Sequence, residues 1–378
     1  MRLPPVLAAA LLAALVSAGA SPSSKQPVTF GLFIPTRGPE APSGLEASRG
    51  AGIAADRTNR TGGIHGRPVR LVTAASDVPW SAATDALVHL IYDEGAVAVV
   101  GALDGRTAHL AEQVITRAKG QAVFVTPWAS ETTVTRIRIP WFFQMVPDDR
   151  RQGEVLAREI FRVRGIRRAA AWVGKGLDPE SAADAFEKFA PVRAVTRFPA
   201  GNPTARREVV ERAERGEFGA VVLFAGAGEA ADLIRAFAGI RPGGPDLFGP
   251  LALARKEFLD EDGGRVAEGI LLPGPESRSA FPAVEEFRRE YRETFGSLPT
   301  PVAAYTHDAV KALVEALRKL PSPESDGLAE TLAGIRTGGA TGEIRFDKFL
   351  GRDAAPILSQ VKGGELVPLP RAIPAGKR

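Results

Sequence analysis

The most constraining feature of the sequence is a strand–helix–strand pattern in residues 97–131, VAVVGALDGRTAHLAEQVITRAKGQAVFVTPWASE. Residues 97–100 form an apolar run without polar alternation, which is typical of a parallel strand buried on both faces. After a turn, apolar residues recur at helical spacing up to Ala118, and Thr107 is the predicted cap of this helix. Another apolar run, residues 122–125, forms the second strand. The pattern predicts one unit of an open α/β sheet.

A small-residue loop follows each of these two strands, at residues 103–107 and 128–131. Open α/β sheets bind ligands at the carboxyl ends of their strands, where helix N-termini present unpaired N–H groups. The two loops are therefore predicted to form one wall of a binding site. The alternative is that they only connect elements, since a fold alone does not assign a function.

The rest of the chain continues the alternation of strands and helices in two blocks, separated by a Pro-Asp-Asp turn at residues 147–149. A chain of 378 residues suits about two domains. Two long helices, at residues 282–295 and 302–320, have no strand between them and are expected to pack on the first block. Terminal strands near the hinge are predicted at 343–347, 357–361 and 365–368.

The predicted fold class is α/β, with two doubly wound parallel-sheet lobes joined by a multi-strand hinge. Such lobes enclose a cleft, which is a preferred site for small molecules and can close by hinge motion. The expected N-terminal lobe comprises residues 27–146 plus 274–345. The expected C-terminal lobe comprises residues 147–273 plus 346–370.

The N-terminus predicts export. Residues 1–20 contain Arg2, a short apolar run and the small residues Ala18-Gly19-Ala20, which is typical of a secretory signal peptide. The apolar run is shorter than a membrane-spanning helix, although a retained anchor is the alternative. The sequence contains no cysteine, so neither disulfides nor a lipid-modified cysteine is expected. The predicted location of the protein is the periplasm, without stable membrane insertion after signal removal.

Several function classes find no support in the sequence. It lacks a cysteine nucleophile, a Gly-x-Ser-x-Gly elbow, a phosphate-binding loop and a His-Glu-x-x-His helix, so no enzymatic activity and no catalytic residue is predicted. The four histidines lack metal-ligand spacing, and no metal or cofactor is expected. The densest basic patch, at residues 162–168, has no interleaved aromatic residues, which argues against a nucleic-acid partner.

A set of short motifs, individually weak, resembles the type I periplasmic binding proteins of ABC transporters, in the branch that binds leucine, isoleucine and valine. The resemblance covers residues 28–369. Its carriers are Pro35-Thr36-Arg37-Gly38-Pro39 with Gly44; Asn59 with Gly62-Gly63-Ile64-His65-Gly66; Val100-Gly101; Thr126-Pro127; Phe143-Gln144 with Pro147, Asp149, Gln152 and Gly153; Ala267-Glu268-Gly269; and Tyr305-Thr306-His307-Asp308-Ala309.

The resemblance implies that the two loops hold a ligand carboxylate. Carried over by position, the residues on one side are Gly105, Arg106 and Thr107, and those on the other are Ala129 and Ser130. A glycine at position 105 lacks the hydroxyl that the family places there. Arg106 is expected either to pair with the carboxylate or to remain solvated, and Thr107 and Ser130 are either ligand contacts or caps and turn residues.

The second lobe departs from the family pattern. Leu251 stands where the family has the acid for an α-ammonium group, and Asp178 lies where an aromatic residue closes over the ligand. An unpaired ammonium group buried against leucine costs several kcal/mol, so ordinary α-amino acids are disfavoured unless Asp178 supplies the charge. A carboxylate without an amine, or some other small polar molecule, fits better. Trp128 replaces a small residue and either narrows the pocket, offers a stacking face or packs in the core.

The predicted function is that of an exported solute-binding protein that captures a small polar ligand, amino-acid-like or a carboxylate, for uptake through an ABC-transporter permease. The alternative is an envelope sensor or regulatory protein of the same fold that acts without transport.

The signal peptide yields a first prediction. The mature chain begins at or near Ser21, because Ala18-Gly19-Ala20 is the small-residue site directly after the apolar run. Sequencing the N-terminus of the exported protein tests this. An intact Met1 on that protein would contradict it.

Overall fold

The computed structural model describes residues 26–237, 244–275, 282–323 and 326–370. The predicted signal peptide and its cleavage site lie outside this part of the chain. Within it, no helix is long and apolar enough to cross a membrane.

The first lobe is built on a five-stranded sheet in which every neighbouring pair of strands is parallel. Its strand order is β2-β1-β3-β4-β5, so the chain crosses from one side of β1 to the other. All seven residues of β1 are buried, as expected of a strand covered by helices on both faces. The strands are β1 (Val28–Ile34), β2 (Val69–Ala75), β3 (Ala98–Gly101), β4 (Val123–Thr126) and β5 (Phe142–Gln144).

The helices that alternate with these strands are α1 (Ala41–Arg60), α2 (Trp80–Val88), α3 (Gly105–Ala118) and α4 (Thr133–Arg136). After β5 come α5 (Asp149–Ala157), α6 (Leu177–Glu187), α7 (Pro203–Glu214), α8 (Ala227–Ala236) and α9 (Lys256–Leu259). Helices α2 and α5 continue in wider helical turns through Asp93 and Val163.

The second lobe is built on a seven-stranded sheet with the order β14-β13-β10-β9-β8-β6-β7. Five of its strands run parallel, and the last two form an antiparallel edge. The strands are β6 (Ala169–Val173), β7 (Val195–Pro199), β8 (Ala220–Phe224), β9 (Asp246–Phe248), β10 (Leu271–Gly274), β13 (Ile357–Lys362) and β14 (Glu365–Pro368). The predicted α/β fold of two doubly wound lobes is confirmed.

Helices α10 (Pro282–Phe295), α11 (Pro301–Lys319) and α12 (Leu328–Ala333) complete the chain between β10 and the terminal strands. Helix α11 packs along α1, on the first lobe. The two backbones approach so closely that a Cβ atom at Gly50 would lie 2.0 Å from the Ala303 carbonyl oxygen. Only glycine fits at this crossing. The residue limits predicted for the two lobes stay a prediction.

Some local predictions were wrong. Helix α3 is capped by Asp104, whose side chain accepts the Thr107 N–H, so Thr107 is the third helical residue and not the cap. The strand expected at 343–347 ends at Ile344 and forms a separate hairpin, β11 (Thr337–Gly339) with β12 (Gly342–Ile344). Its carboxyl end is a turn, because the Asp347 side chain accepts the N–H groups of the following loop.

The short strand β9 was missed because its three residues show too little periodicity. Residues 273 and 274 lie in β10, where they pair with β13.

A buried carboxylate fastens the hairpin to α11. Asp308 is fully buried and accepts the backbone N–H groups of Ala340 (2.6 Å) and Thr341 (2.8 Å). The ring of His307 lies 3.0 Å from the same carboxylate. Burial raises the pKa of Asp308, but hydrogen bonds from His307 and Thr341 outweigh that effect and hold the pKa below its usual value. The ionised form is thus matched by its partners.

We expect Asp308→Ala to lower the free energy of unfolding by about 3–5 kcal/mol, because it leaves several buried donors unpaired. The control is Asp56→Ala, an exposed position on α1, where the change should stay within about 0.5 kcal/mol. Denaturant unfolding of both variants measures the difference. Equal stabilities of the two variants would show that Asp308 does not fasten the hairpin.

Candidate functional site

A cavity of about 390 Å³ lies between the two lobes, at the carboxyl ends of β1, β4 and β8. Its wall has an apolar part made of aromatic, aliphatic and proline side chains and a polar part made mainly of carboxylates. The first lobe contributes Pro39, Glu40 and Ser130. Helix α5 contributes Asp149, and the second lobe contributes Asp178, Pro179, Ala182, Phe224, Ala225, Gly226, Ala227, Gly228, Pro250, Ala252, Leu253, Arg255, Glu257 and Phe258.

The lining carries four acidic side chains and one basic side chain, Arg255, among the described residues. Arg255 reaches across the cleft: its Nη2 donates to the Leu103 carbonyl, and its Nη1 lies 3.5 Å from the Glu40 carboxylate. The guanidinium also lies 5.9 Å from the ring centre of Trp128. The positive charge of Arg255 is thus already engaged by the first lobe.

A second contact across the cleft joins Asp178, near the start of α6, to the start of α3. The Gly105 N–H lies 3.0 and 3.1 Å from the two carboxylate oxygens of Asp178. A Cβ atom at position 105 would lie 2.3 Å from the nearer oxygen, so a larger residue there would force the Asp178 carboxylate to move. Burial raises the pKa of Asp178, against the opposing effect of the Gly105 N–H.

Asp149, the first residue of α5, is buried between the lobes. Its carboxyl group accepts a hydrogen bond from Ser130 of the first lobe (2.7 Å) and another from Ser181 of α6 (2.8 Å). Burial raises the pKa of Asp149 to about 8, and the nearby charges of Asp178 and Glu131 act in the same direction. The group is therefore protonated at neutral pH.

A charged cluster of His109, Glu112 and Glu131 lies behind this wall. Nδ1 of His109 is 2.6 Å from Glu112, and Nε2 is 3.1 Å from Glu131. These hydrogen bonds raise the pKa of His109 to about 10. Burial opposes ionisation of Glu131, but hydrogen bonds from His109 and Thr133 lower its pKa to about 2. The histidine is a charged structural group, and the described residues contain no group suited to a metal ion.

A third contact closes the cleft at its rim. Glu257 of α9 accepts hydrogen bonds from the backbone N–H (2.8 Å) and the hydroxyl (2.7 Å) of Ser43 in α1. Together with Asp178 and Arg255, it connects the second lobe to backbone groups of the first.

The structure places the predicted site residues in three settings. Ser130 and Asp178 line the cavity, and Gly105 contacts Asp178. Arg106 is exposed, with its guanidinium 5.7 Å from the ring centre of Trp80, and it does not line the cavity. The adjacent residue on a helix projects in a different direction, which is why Gly105 faces the cleft and Arg106 does not.

The remaining predicted residues are engaged within the protein. Thr107 bonds to the Asp104 cap through both its N–H and its hydroxyl. The Ala129 N–H donates to the Thr126 hydroxyl. Trp128 is 3% exposed and packs edge-on against Tyr305. Leu251 is 2% exposed, and its N–H donates to Gln152. Contact of these residues with a ligand stays a prediction.

Sequence reasoning assigned no site role to Glu40, Asp149, Arg255 or Glu257. The sequence did contain a signal for Asp149, because this residue begins a helix two positions after the proline at position 147. Arg255 had none, because its carbonyl partner lies 152 residues away in the sequence.

The raised pKa of Asp149 predicts a pH-dependent stability. The unfolded chain loses this proton near pH 3.8 and the folded chain near pH 8, so the contribution to stability is complete below about pH 4 and is lost as pH rises to 8. The expected slope is up to about 1.4 kcal/mol per pH unit. Asp149→Asn, which mimics the protonated form, should flatten the profile. Asp184→Asn, at an exposed position on α6, is the control and should keep the slope of the parent.

Unfolding free energies of the parent and the two variants between pH 5 and 8 measure the effect. Parallel profiles for the parent and Asp149→Asn would contradict it.

The chain is similar to known proteins in three respects: it matches a family model, parts of related sequences, and the fold of solved structures. A family model described as periplasmic binding protein matches residues 27–357. The chemotactic signal transduction system substrate-binding protein BasB of Halobacterium salinarum is 32% identical over 145 residues, 36% of this chain and 34% of that protein. An amino acid binding protein of Pseudomonas aeruginosa is 29% identical over 177 residues, 46% of this chain and 47% of that protein. The matched region thus spans about a third to a half of these relatives.

Solved structures share the fold over nearly the whole described chain. The branched-chain amino acid transporter substrate-binding protein LivJ of Streptococcus pneumoniae, in complex with isoleucine, has a TM-score of 0.79 at 19% identity, covering 90% of this chain and 98% of that one. A solute-binding protein of Rhodopseudomonas palustris, in complex with 3,4-dihydroxybenzoic acid, has a TM-score of 0.75 at 18% identity, covering 90% and 96%.

The family match covers most of the sequence, and the two-lobed fold agrees with it. The chain belongs to the periplasmic binding protein family.

Proposed function

We propose that the protein is an exported solute-binding protein that captures a small polar ligand, amino-acid-like or a carboxylate, for uptake through an ABC-transporter permease. The observation that carries this proposal is the cavity between the lobes, which draws its wall from both of them. A ligand that contacts both walls favours the closed arrangement, and hinge closure then reports its presence.

The relatives support this class of ligand. LivJ is solved with isoleucine, and the Rhodopseudomonas palustris protein with a hydroxylated benzoic acid. Both ligands are small enough for a cavity of about 390 Å³. Family membership supports a binding role without turnover and a periplasmic location.

A second candidate is an envelope sensor that passes its bound state to another protein instead of a transporter. The observation that favours it is the similarity to BasB, whose name places it in a chemotactic signal transduction system. Uptake of the identified ligand by a strain lacking this protein separates the two: reduced uptake supports transport, and unchanged uptake supports sensing.

The binding role is tested by filling the cavity. Gly228 lines it, and a Cβ atom there meets nothing within 4 Å, so Gly228→Trp adds a bulky side chain at the cavity wall without a backbone clash. The matched control is Gly52→Trp, a helical glycine with equally open space away from the cavity. We expect Gly228→Trp to weaken ligand binding by at least about tenfold and Gly52→Trp to leave it unchanged.

The ligand is first identified by mass spectrometry of small molecules released from protein purified under native conditions, and its affinity is then measured by calorimetry. Melting temperatures check the fold of both variants. Equal affinities of the two variants would place the ligand elsewhere.

A further inference from the structure

The start of α3 is the natural anion position of the cleft. A helix N-terminus presents unpaired N–H groups and favours negative charge. In this structure the position is taken by the protein itself, because the Asp178 carboxylate lies 3.0 and 3.1 Å from the Gly105 N–H. The side chain of Asp178 comes from the opposite lobe and also lines the cavity.

The fit between the two residues is tight. Any Cβ atom at position 105 would overlap the Asp178 carboxylate at 2.3 Å and approach Leu177 at 3.3 Å. The missing side chain at position 105 and the acidic side chain at position 178 therefore form one arrangement. A ligand carboxylate would have to displace Asp178 to reach the same N–H group.

The remaining charges of the lining favour a cation. Beside Asp178, the cavity is lined by the carboxyl groups of Glu40 and Glu257, whereas Asp149 is protonated and neutral at neutral pH. The guanidinium of Arg255 is engaged by the Leu103 carbonyl and by Glu40. Burial raises the pKa of Glu40, the nearby charge of Arg255 opposes that effect, and the neighbouring acids Asp104, Glu257 and Asp178 add to it, so that the pKa is raised on balance. Negative charge is thus crowded in the cleft, and a bound cation would relieve the repulsion.

We propose that Asp178 determines the specificity of the cleft: it fills the anion position at the start of α3, so the preferred ligand is an organic ammonium ion that carries no carboxylate. This inference rests on the proposed binding function and goes beyond the ligands named there, which all carry a carboxylate. The sequence left open a carboxylate without an amine, another small polar molecule, and an amine whose charge Asp178 balances; the inference selects the last of these. The apolar side chains of Phe224, Leu253 and Phe258 provide the surface for the hydrocarbon part of the ligand.

The test uses two matched sets of probes, each with one hydrocarbon skeleton. The first set is leucine, 3-methylbutylamine and 4-methylpentanoate; the second is phenylalanine, 2-phenylethylamine and 3-phenylpropanoate. Within each set the probes differ only in carrying both charged groups, the ammonium alone or the carboxylate alone. For the parent protein we expect the amine of at least one set to bind at least about tenfold more tightly than the other two probes.

Two variants separate the charge of Asp178 from its occupation of the site. Asp178→Asn keeps an oxygen acceptor for the Gly105 N–H but loses the negative charge, so it should lose about tenfold to a hundredfold in amine affinity without gaining carboxylate binding. Asp178→Ala also empties the anion position, so it should gain affinity for the carboxylate probe by about tenfold. The control is Asp184→Ala, on the exposed side of the same helix, which should match the parent.

Calorimetry gives the affinities, and melting temperatures confirm that each variant is folded. Tighter binding of leucine, phenylalanine or either carboxylate by the parent would overturn the inference and leave the proposed function intact. So would a carboxylate-bearing ligand that co-purifies with the parent. If no probe binds, an amine without a carboxylate among the co-purified molecules supports the inference. The absence of any binding or co-purified small molecule contradicts the proposed function itself.

Discussion

The closed form of this protein depends on side chains of one lobe that satisfy backbone groups of the other. Asp178 accepts the Gly105 N–H, Arg255 donates to the Leu103 carbonyl, and Glu257 accepts the Ser43 N–H. The three backbone groups belong to the loop after β3 and to the starts of α1 and α3. A charged side chain buried at an interface costs free energy unless such partners compensate it. The position of the lobes therefore determines whether these charges are paired.

This arrangement explains why the cleft is both closed and acidic. Each carboxylate has a partner, but most of these partners are neutral N–H or hydroxyl groups that supply no positive charge. Asp149 carries no buried negative charge at neutral pH, because its carboxyl group remains protonated there. Behind the same wall, the negative charge of Glu131 is balanced by the positive charge of His109, because the two side chains ionise as a pair. Neighbouring carboxyl groups thus differ in charge because their partners differ.

The sequence predicted the fold better than the site, and the reason is the range over which each pattern acts. Buried strands such as β3 and β4 are visible as apolar runs of four consecutive residues, and most helices are visible in the spacing of their apolar residues. The rotation of α3 about its axis is not visible locally, and it decides that Gly105 faces the cleft and Arg106 faces Trp80. The contact between Gly105 and Asp178 joins positions that are 73 residues apart, and no local pattern around either residue predicts the other as its partner. Leu251, inferred to replace an acid in the pocket, is a core residue beside the lining.

The position of Trp128 has an optical consequence. Its indole is buried, its Nε1 atom has no hydrogen-bond partner among the residues that the structure describes, and the guanidinium that covers it comes from the opposite lobe. Separation of the lobes removes Arg255 and admits water to the indole. Trp172, in contrast, is buried within the second lobe and donates to the Glu229 carbonyl of the same lobe. Among the four tryptophans of the sequence, Trp128 thus provides a fluorophore whose surroundings change when the lobes separate.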